Sequence, residues 1–274
     1  RTAGYGTALA ATLLTALGLR LLHLFTSVDN PFFLALSADE LYYLDFAKDV
    51  ANGGLGLGQG LNFMDPLYGY ILGAILRLTG DDLFIVRLLQ AVVDTLSAYL
   101  IYRIGVELQS PRAGLLAAVL YAVCSIAVFY SALLLKTTWV AFFCLLWVWL
   151  LLRSEPGGTW RWIGIGAFVS LCVMLRSNLL LLAPATVLWM AWRSWADKSR
   201  VGRNLVAFGV GLVLVMSISA WRQQAITGEW QWLPANGGIV LYQVYNPHYA
   251  ETGRVMPDFV PMLNPREMQS DFMR

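Results

Sequence analysis

The run GYGTALAATLLTALGLRLLHLF, Gly4 to Phe25, decides the fold class. A helix needs about 20 predominantly apolar residues to cross a hydrocarbon core roughly 30 Å thick, and this run has that length. Further apolar blocks cover about Leu83–Ile104, Ala113–Leu135, Thr138–Leu152, Trp162–Leu175, Leu179–Trp192 and Leu205–Ala220, which makes about seven expected spans. The stretch Leu67–Leu78 is apolar but too short to cross and is expected to be an interfacial helix. The reading is an all-α polytopic membrane protein.

Composition agrees. Of 274 residues 58% are hydrophobic and only 13% are charged, against about 25% charged in an ordinary soluble domain, too few to cover a water-soluble globule. The net charge of +2 and the lack of a basic run with interleaved aromatics exclude a nucleic-acid partner. Cys124, Cys144 and Cys172 lie inside apolar runs and read as small core residues. His23 and His248 have no ligand spacing between them. The first run is too long for the apolar part of a cleavable signal and is taken as an anchor.

Residues 1–220 form the expected transmembrane catalytic region, with a polar first loop at about 26–82. Residues 221–274 are the expected start of an external polar loop or domain, and the chain is read as the amino-terminal part of a longer protein. The turn signal Pro234-Ala-Asn-Gly-Gly238 fits that division. Arg193, Lys198, Arg200 and Arg203 crowd one connection, Arg153 and Arg161 flank another, and Arg112 sits in a third. By the positive-inside rule these connections are cytoplasmic. The first loop, the Lys136 turn, the Arg176-Ser-Asn178 turn and the tail then fall outside. Arg20, Arg77, Arg87 and Arg222 fall on the outer side as well and weaken the charge asymmetry.

Within this apolar chain the first loop carries an acidic pair, Asp39-Glu40, and a second acid in Asn62-Phe-Met-Asp-Pro-Leu-Tyr68. Ser37-Ala-Asp-Glu40 fits a capping box opening a helix to about Ala51 that stops at Gly53-Gly54. That structural reading accounts for Glu40. Asp39 instead shares a helical face with Tyr42, Tyr43, Phe46, Ala47 and Val50, where an acid is costly unless it has a function or a partner. In the first turn the helix dipole favours its ionised form by about 0.3–1 kcal/mol, and a carboxylate there can take a proton from a hydroxyl or bind a cation. Asp65 precedes Pro66 and can equally cap the interfacial helix or act chemically. Arg87, Gln90 and Asp94 share a face of one span, and Asp94 is read as half of an Arg–Asp bridge joining helices, outside the active site.

Taken in order, Asp39-Glu40-Leu-Tyr-Tyr43, Ala47, Asp65-Pro66-Leu67-Tyr68 and Arg87-Leu88 resemble the amino-terminal half of a family 39-type membrane glycosyltransferase. That family belongs to the GT-C superfamily and includes protein O-mannosyltransferases and lipid A aminoarabinose transferases. Its second acid is more often Glu, and here Pro66 follows Asp65 directly. Asn236-Gly-Gly238, Tyr245-Asn-Pro247, Ala250 and Gly253 partly match a loop of bacterial members, with Val244-Tyr245 where those have Gly-Asn.

The resemblance implies a GT-C-type transmembrane bundle whose external first loop contains interfacial helices. It implies transfer of a hexose or pentose, with inversion, from a polyprenyl-phosphate donor to a hydroxyl of a lipid, glycan or protein acceptor on the outer face. The corresponding location is the bacterial inner membrane. Asp39 would be the general base, Glu40 and Asp65 would orient the acceptor, Asp39 or a cation, and Arg176 and Lys136 would bind the donor phosphate. Snorkelling is the plain alternative for Arg176. A metal is left open: if one is present, Asp39, Glu40 and Asp65 supply hard oxygen ligands for Mg²⁺ or Mn²⁺. The alternatives are a transporter or flippase of a lipid-linked or anionic substrate, which should show internal repeats that are not evident here, and a scaffold that would tolerate Asp39→Asn.

Overall fold

The computed structural model describes residues 5–30, 33, 36, 38–56, 64–154, 158–193 and 198–234. Ten α-helices and no strand occur among them. They are α1 (Gly6–Ser27), α2 (Ala38–Ala51), α3 (Pro66–Thr79), α4 (Leu83–Glu107), α5 (Pro111–Ala122), α6 (Ser125–Ser131), α7 (Thr137–Leu152), α8 (Thr159–Leu175), α9 (Leu182–Arg193) and α10 (Lys198–Thr227). A short 3₁₀ turn, Ser177–Leu181, leads into α9. All-α polytopic architecture is therefore what the chain adopts.

Among the described residues α1, α4 and α10 are each long and apolar enough to cross a membrane. The block expected as one span at Ala113–Leu135 is a bent pair, α5 and α6 meeting at 59°, and counts as a fourth span if the pair is taken together. The pair ends at Ser131 and α7 opens at Thr137, so residues 132–136 form a turn between helices. The shorter apolar blocks are α7 and α8, of 16 and 17 residues, and α9, of 12. Helix α10 continues to Thr227, past the expected end of its span at Ala220. The tail motifs from Asn236 onward lie outside the described residues.

Helices without a hydrophobic drive to associate approach closely where residues are small. A Cβ placed on Gly166 of α8 would sit 2.0 Å from the Phe208 carbonyl oxygen, and one on Gly211 of α10 would sit 2.0 Å from that of Ile163. Bare backbone therefore meets bare backbone along the α8–α10 seam.

A second joint is ionic. Arg20 of α1 is fully buried, and its Nε donates to Asp94 of α4 at 2.5 Å. Its Nη1 donates to the carbonyls of Ala16 and Ala122, at 2.8 and 3.0 Å, and the Tyr121 hydroxyl donates to the second Asp94 oxygen at 2.5 Å. Asp94 is thus half of an Arg–Asp bridge between helices, with Arg20 as its partner. Arg87, on the same face of α4 as Asp94, points its bonds elsewhere. Because Arg20 and Arg87 are interior side chains, neither counts as a loop charge in fixing orientation.

The chain threads so that the C-terminal ends of α1, α6, α8 and α10 and the N-terminal ends of α4 and α7 lie at one end of the bundle. The basic connections lie at the other, where Arg153 Nε approaches Glu107 at 3.4 Å and Arg161 donates to the Arg153 carbonyl.

Removing the acid from the buried joint, Asp94→Leu, strands Arg20 without a counter-charge and should cost about 3–5 kcal/mol. Glu107→Leu, at the half-exposed pairs with Arg103 and Arg153, should cost under about 1 kcal/mol. Thermal unfolding of both variants in detergent checks the order.

Candidate functional site

Helix α2 lies across α3. Tyr42, Tyr43, Phe46 and Ala47 of α2 are buried against Tyr68, Leu72 and Leu76 of α3. The glycines of α3 make room: a Cβ on Gly69 would meet the Phe46 ring at 2.3 Å, and one on Gly73 would meet Val50 Cβ at 2.7 Å. Helix α2 closes where expected, with Gly53 at φ +91° and the Gly54 N–H donating to the Asp49 carbonyl at 2.9 Å.

The two acids of the pair face differently. Asp39 is exposed, whereas Glu40 is buried and begins the inward face that continues through Tyr43, Leu44 and Ala47. The expected placement of Asp39 at the head of the packed stripe is corrected by one residue step, about 100° around a helix. Glu40 Oε1 accepts from the Leu134 backbone N–H at 3.0 Å, a bond that crosses 94 residues of sequence. The Ser37 side of the expected capping box lies outside the described residues.

Leu134 belongs to the turn between α6 and α7, and helix α4 grips the same turn. Arg87 Nε donates to the Ala132 carbonyl at 2.9 Å, and Gln90 Nε2 donates to those of Ser131 and Leu133 at 3.1 and 2.6 Å. The Gln90 carbonyl accepts from the Tyr68 hydroxyl at 2.8 Å, which ties α3 into the same set. A second Arg87 nitrogen donates to the Phe33 carbonyl at 2.8 Å, with the guanidinium 3.7 Å from the Phe33 ring centroid.

This turn delivers Lys136. Its ammonium is ion-paired with Asp65, and both side chains are largely buried. Asp65 stands at the N-cap position of α3, with Pro66 at the first helical position, yet its side chain makes no capping bond. One carboxylate oxygen takes Lys136, and the other accepts the Ser177 backbone N–H at 2.9 Å and the Ser177 hydroxyl. Asp65 thereby joins α3, the turn before α7 and the turn after α8.

Of the residues proposed from sequence, Asp65 and Lys136 meet directly. Glu40 supports the turn that carries Lys136. Arg176 is the neighbour of Ser177; its backbone N–H bonds the Cys172 carbonyl at 2.9 Å and the residue is exposed. Ser177 and Tyr43 were not singled out. A hydroxyl directly after a span-ending Arg was the available signal for Ser177, and two adjacent tyrosines after an acidic pair was the signal for Tyr43.

Tyr43 is 1% exposed, and its ring lies 4.9 Å edge-on to Tyr68 and 5.7 Å from the Lys136 ammonium. Burial, then the charges of Asp65, Tyr42 and Asp39, pushes its phenol far above the ordinary value. Tyr68 is raised in the same sense by burial and by Glu40, with Arg87 opposing. Both phenols therefore keep their protons at any physiological pH.

Asp39, Glu40 and Asp65 are not gathered into one group here. Both Asp65 oxygens are engaged, Glu40 is turned to a backbone N–H, and no group of three His, Cys, Asp or Glu side chains among the described residues is placed to hold a metal.

A model of the dolichyl-phosphate-mannose-protein mannosyltransferase family matches residues 65–221, more than half of the chain. The chain belongs to that family. It is a membrane glycosyltransferase of the GT-C type. The matched region opens on Asp65 and takes in Arg87, Lys136, Arg176 and Ser177, while Asp39 and Glu40 precede it. No curated protein and no solved structure matches the chain.

Glu40→Gln keeps an acceptor oxygen for the Leu134 N–H, whereas Glu40→Ala leaves that buried donor empty at a cost of about 1–3 kcal/mol. The alanine variant should melt well below the glutamine variant, and calorimetry of the two side by side will show whether this bond holds the turn.

Proposed function

We propose that this glycosyltransferase takes its sugar from a polyprenyl-phosphate carrier and gives it, with inversion, to a hydroxyl of a lipid, glycan or protein acceptor. The observation that carries the reading is the pairing of an exposed first-turn carboxylate, Asp39, with the buried Asp65–Lys136 ion pair at one end of an apolar bundle. The first group is open to an acceptor, and the second sets a cation at the edge of the membrane.

Asp39 is the general base. Its carboxylate takes the acceptor hydroxyl proton as that oxygen forms a bond to the anomeric carbon. The bond from that carbon to the phosphate oxygen breaks on the opposite side, and its electron pair leaves with the carrier phosphate. Lys136 and Arg176 bind that phosphate and receive its added charge. Asp65, with both oxygens committed, positions Lys136 and Ser177 and does not itself take the proton.

The site end faces outward on this reading, to the periplasm of a bacterium whose inner membrane the bundle spans. The clustering of Arg112, Arg153, Arg161, Arg193 and Arg203 at the far end supports that orientation. The polar segment after α10 then starts on the outer side, where Gln231 already meets Gln223.

The test is radiolabelled sugar transfer from polyprenyl-phosphate donors by the full-length protein in membranes, native against Asp39→Asn at matched expression. Loss of about 10²–10⁴-fold in turnover with donor binding retained supports Asp39 as the base. Undiminished transfer removes it from that role. Absence of transfer by the native protein across several such donors overturns the polyprenyl-phosphate reading.

A further inference from the structure

We propose that the Tyr43 hydroxyl is a hydrogen-bond donor to the carrier phosphate, acting beside Lys136; this rests on the polyprenyl-phosphate reading above and adds a second ligand to the leaving group. Four tyrosines cluster at the α2–α3 junction, and three have their hydroxyls engaged. Tyr68 donates to Gln90 at 2.8 Å, Tyr70 donates to the Leu55 carbonyl at 2.9 Å, and Tyr42 accepts from the Met64 N–H at 3.3 Å. The Tyr43 hydroxyl, fully buried, has no partner among the described residues.

Buried hydroxyls are nearly always bonded, so an empty one in the middle of a site asks for a ligand. Its surroundings restrict what the ligand is. The ring sits beside the Lys136 ammonium, and the hydroxyl feels the charge of both Asp65 and Asp39. The phenol keeps its proton, so it donates, and the ligand oxygen must be an acceptor drawn to Lys136. A phosphate oxygen meets both conditions. When phosphate draws Lys136 away from Asp65, the phenol contributes a donor without adding charge and without losing its own proton.

The probe is polyprenyl monophosphate in nanodiscs carrying the full-length protein, with uncharged polyprenol for comparison. Tyr43→Phe should weaken phosphate binding roughly tenfold, the worth of a hydrogen bond to a charged group, and leave polyprenol binding unchanged. Its melting temperature should match or exceed the native value, because the variant loses no bond to any described residue. Unchanged phosphate affinity overturns the proposal. So does a lowered melting temperature, which would assign the hydroxyl a structural bond, and so does a native protein that ignores the phosphate. A native protein that binds polyprenyl monophosphate with the expected loss in Tyr43→Phe, yet transfers no sugar, leaves this contact standing and overturns the transferase donor assigned above.

Discussion

Where a helix stops inside a membrane protein, its last carbonyls have no water to turn to, and that constraint organises this site. The turn at 132–136 separates α6 from α7 within the packed bundle, and its exposed backbone groups each need a partner. Arg87 and Gln90 answer the carbonyls of residues 131–133, and Glu40 answers the N–H of Leu134. Satisfying the backbone and aiming Lys136 are therefore the same act. Side chains from α2 and α4 hold a turn that neither helix is adjacent to in sequence.

The acids divide their labour by solvent access. Asp39 is exposed at the start of α2. Glu40 and Asp65 are enclosed: one Glu40 oxygen and both Asp65 oxygens accept from protein donors. An enclosed carboxylate with several bonds fixes geometry well and is poorly suited to taking up a proton from a passing hydroxyl. The two glycines of α3 that admit Phe46 and Val50 make this possible, because they bring α2 close enough for Glu40 to reach across to the turn before α7.

The apolar blocks were legible because membrane solvent leaves little choice: long apolar runs become helices, and helices occupy most of each block read from sequence. The bend between α5 and α6 was hidden because the apolar run continues straight through Val123 and Cys124, and hydropathy carries no record of direction. The bridge from Asp94 could be expected, but not that Arg20 would take it, since that contact joins residues 74 apart. Asp65 looked equally like a cap and like chemistry; its true partners lie 71 and 112 residues further along the chain. The inward turn of Glu40 in place of Asp39 was lost because both fit an amphipathic helix to within one step.

Arg222 near the end of α10 donates to the carbonyls of Leu55 and Gly56, in the segment that leaves α2. The last long helix of the described chain is thus fastened to the first loop. Any piece of this protein cut for expression at the close of the apolar stretch, a few residues earlier, would release that fastening. The fold's contacts run past the point where the hydropathy ends, by the reach of one arginine.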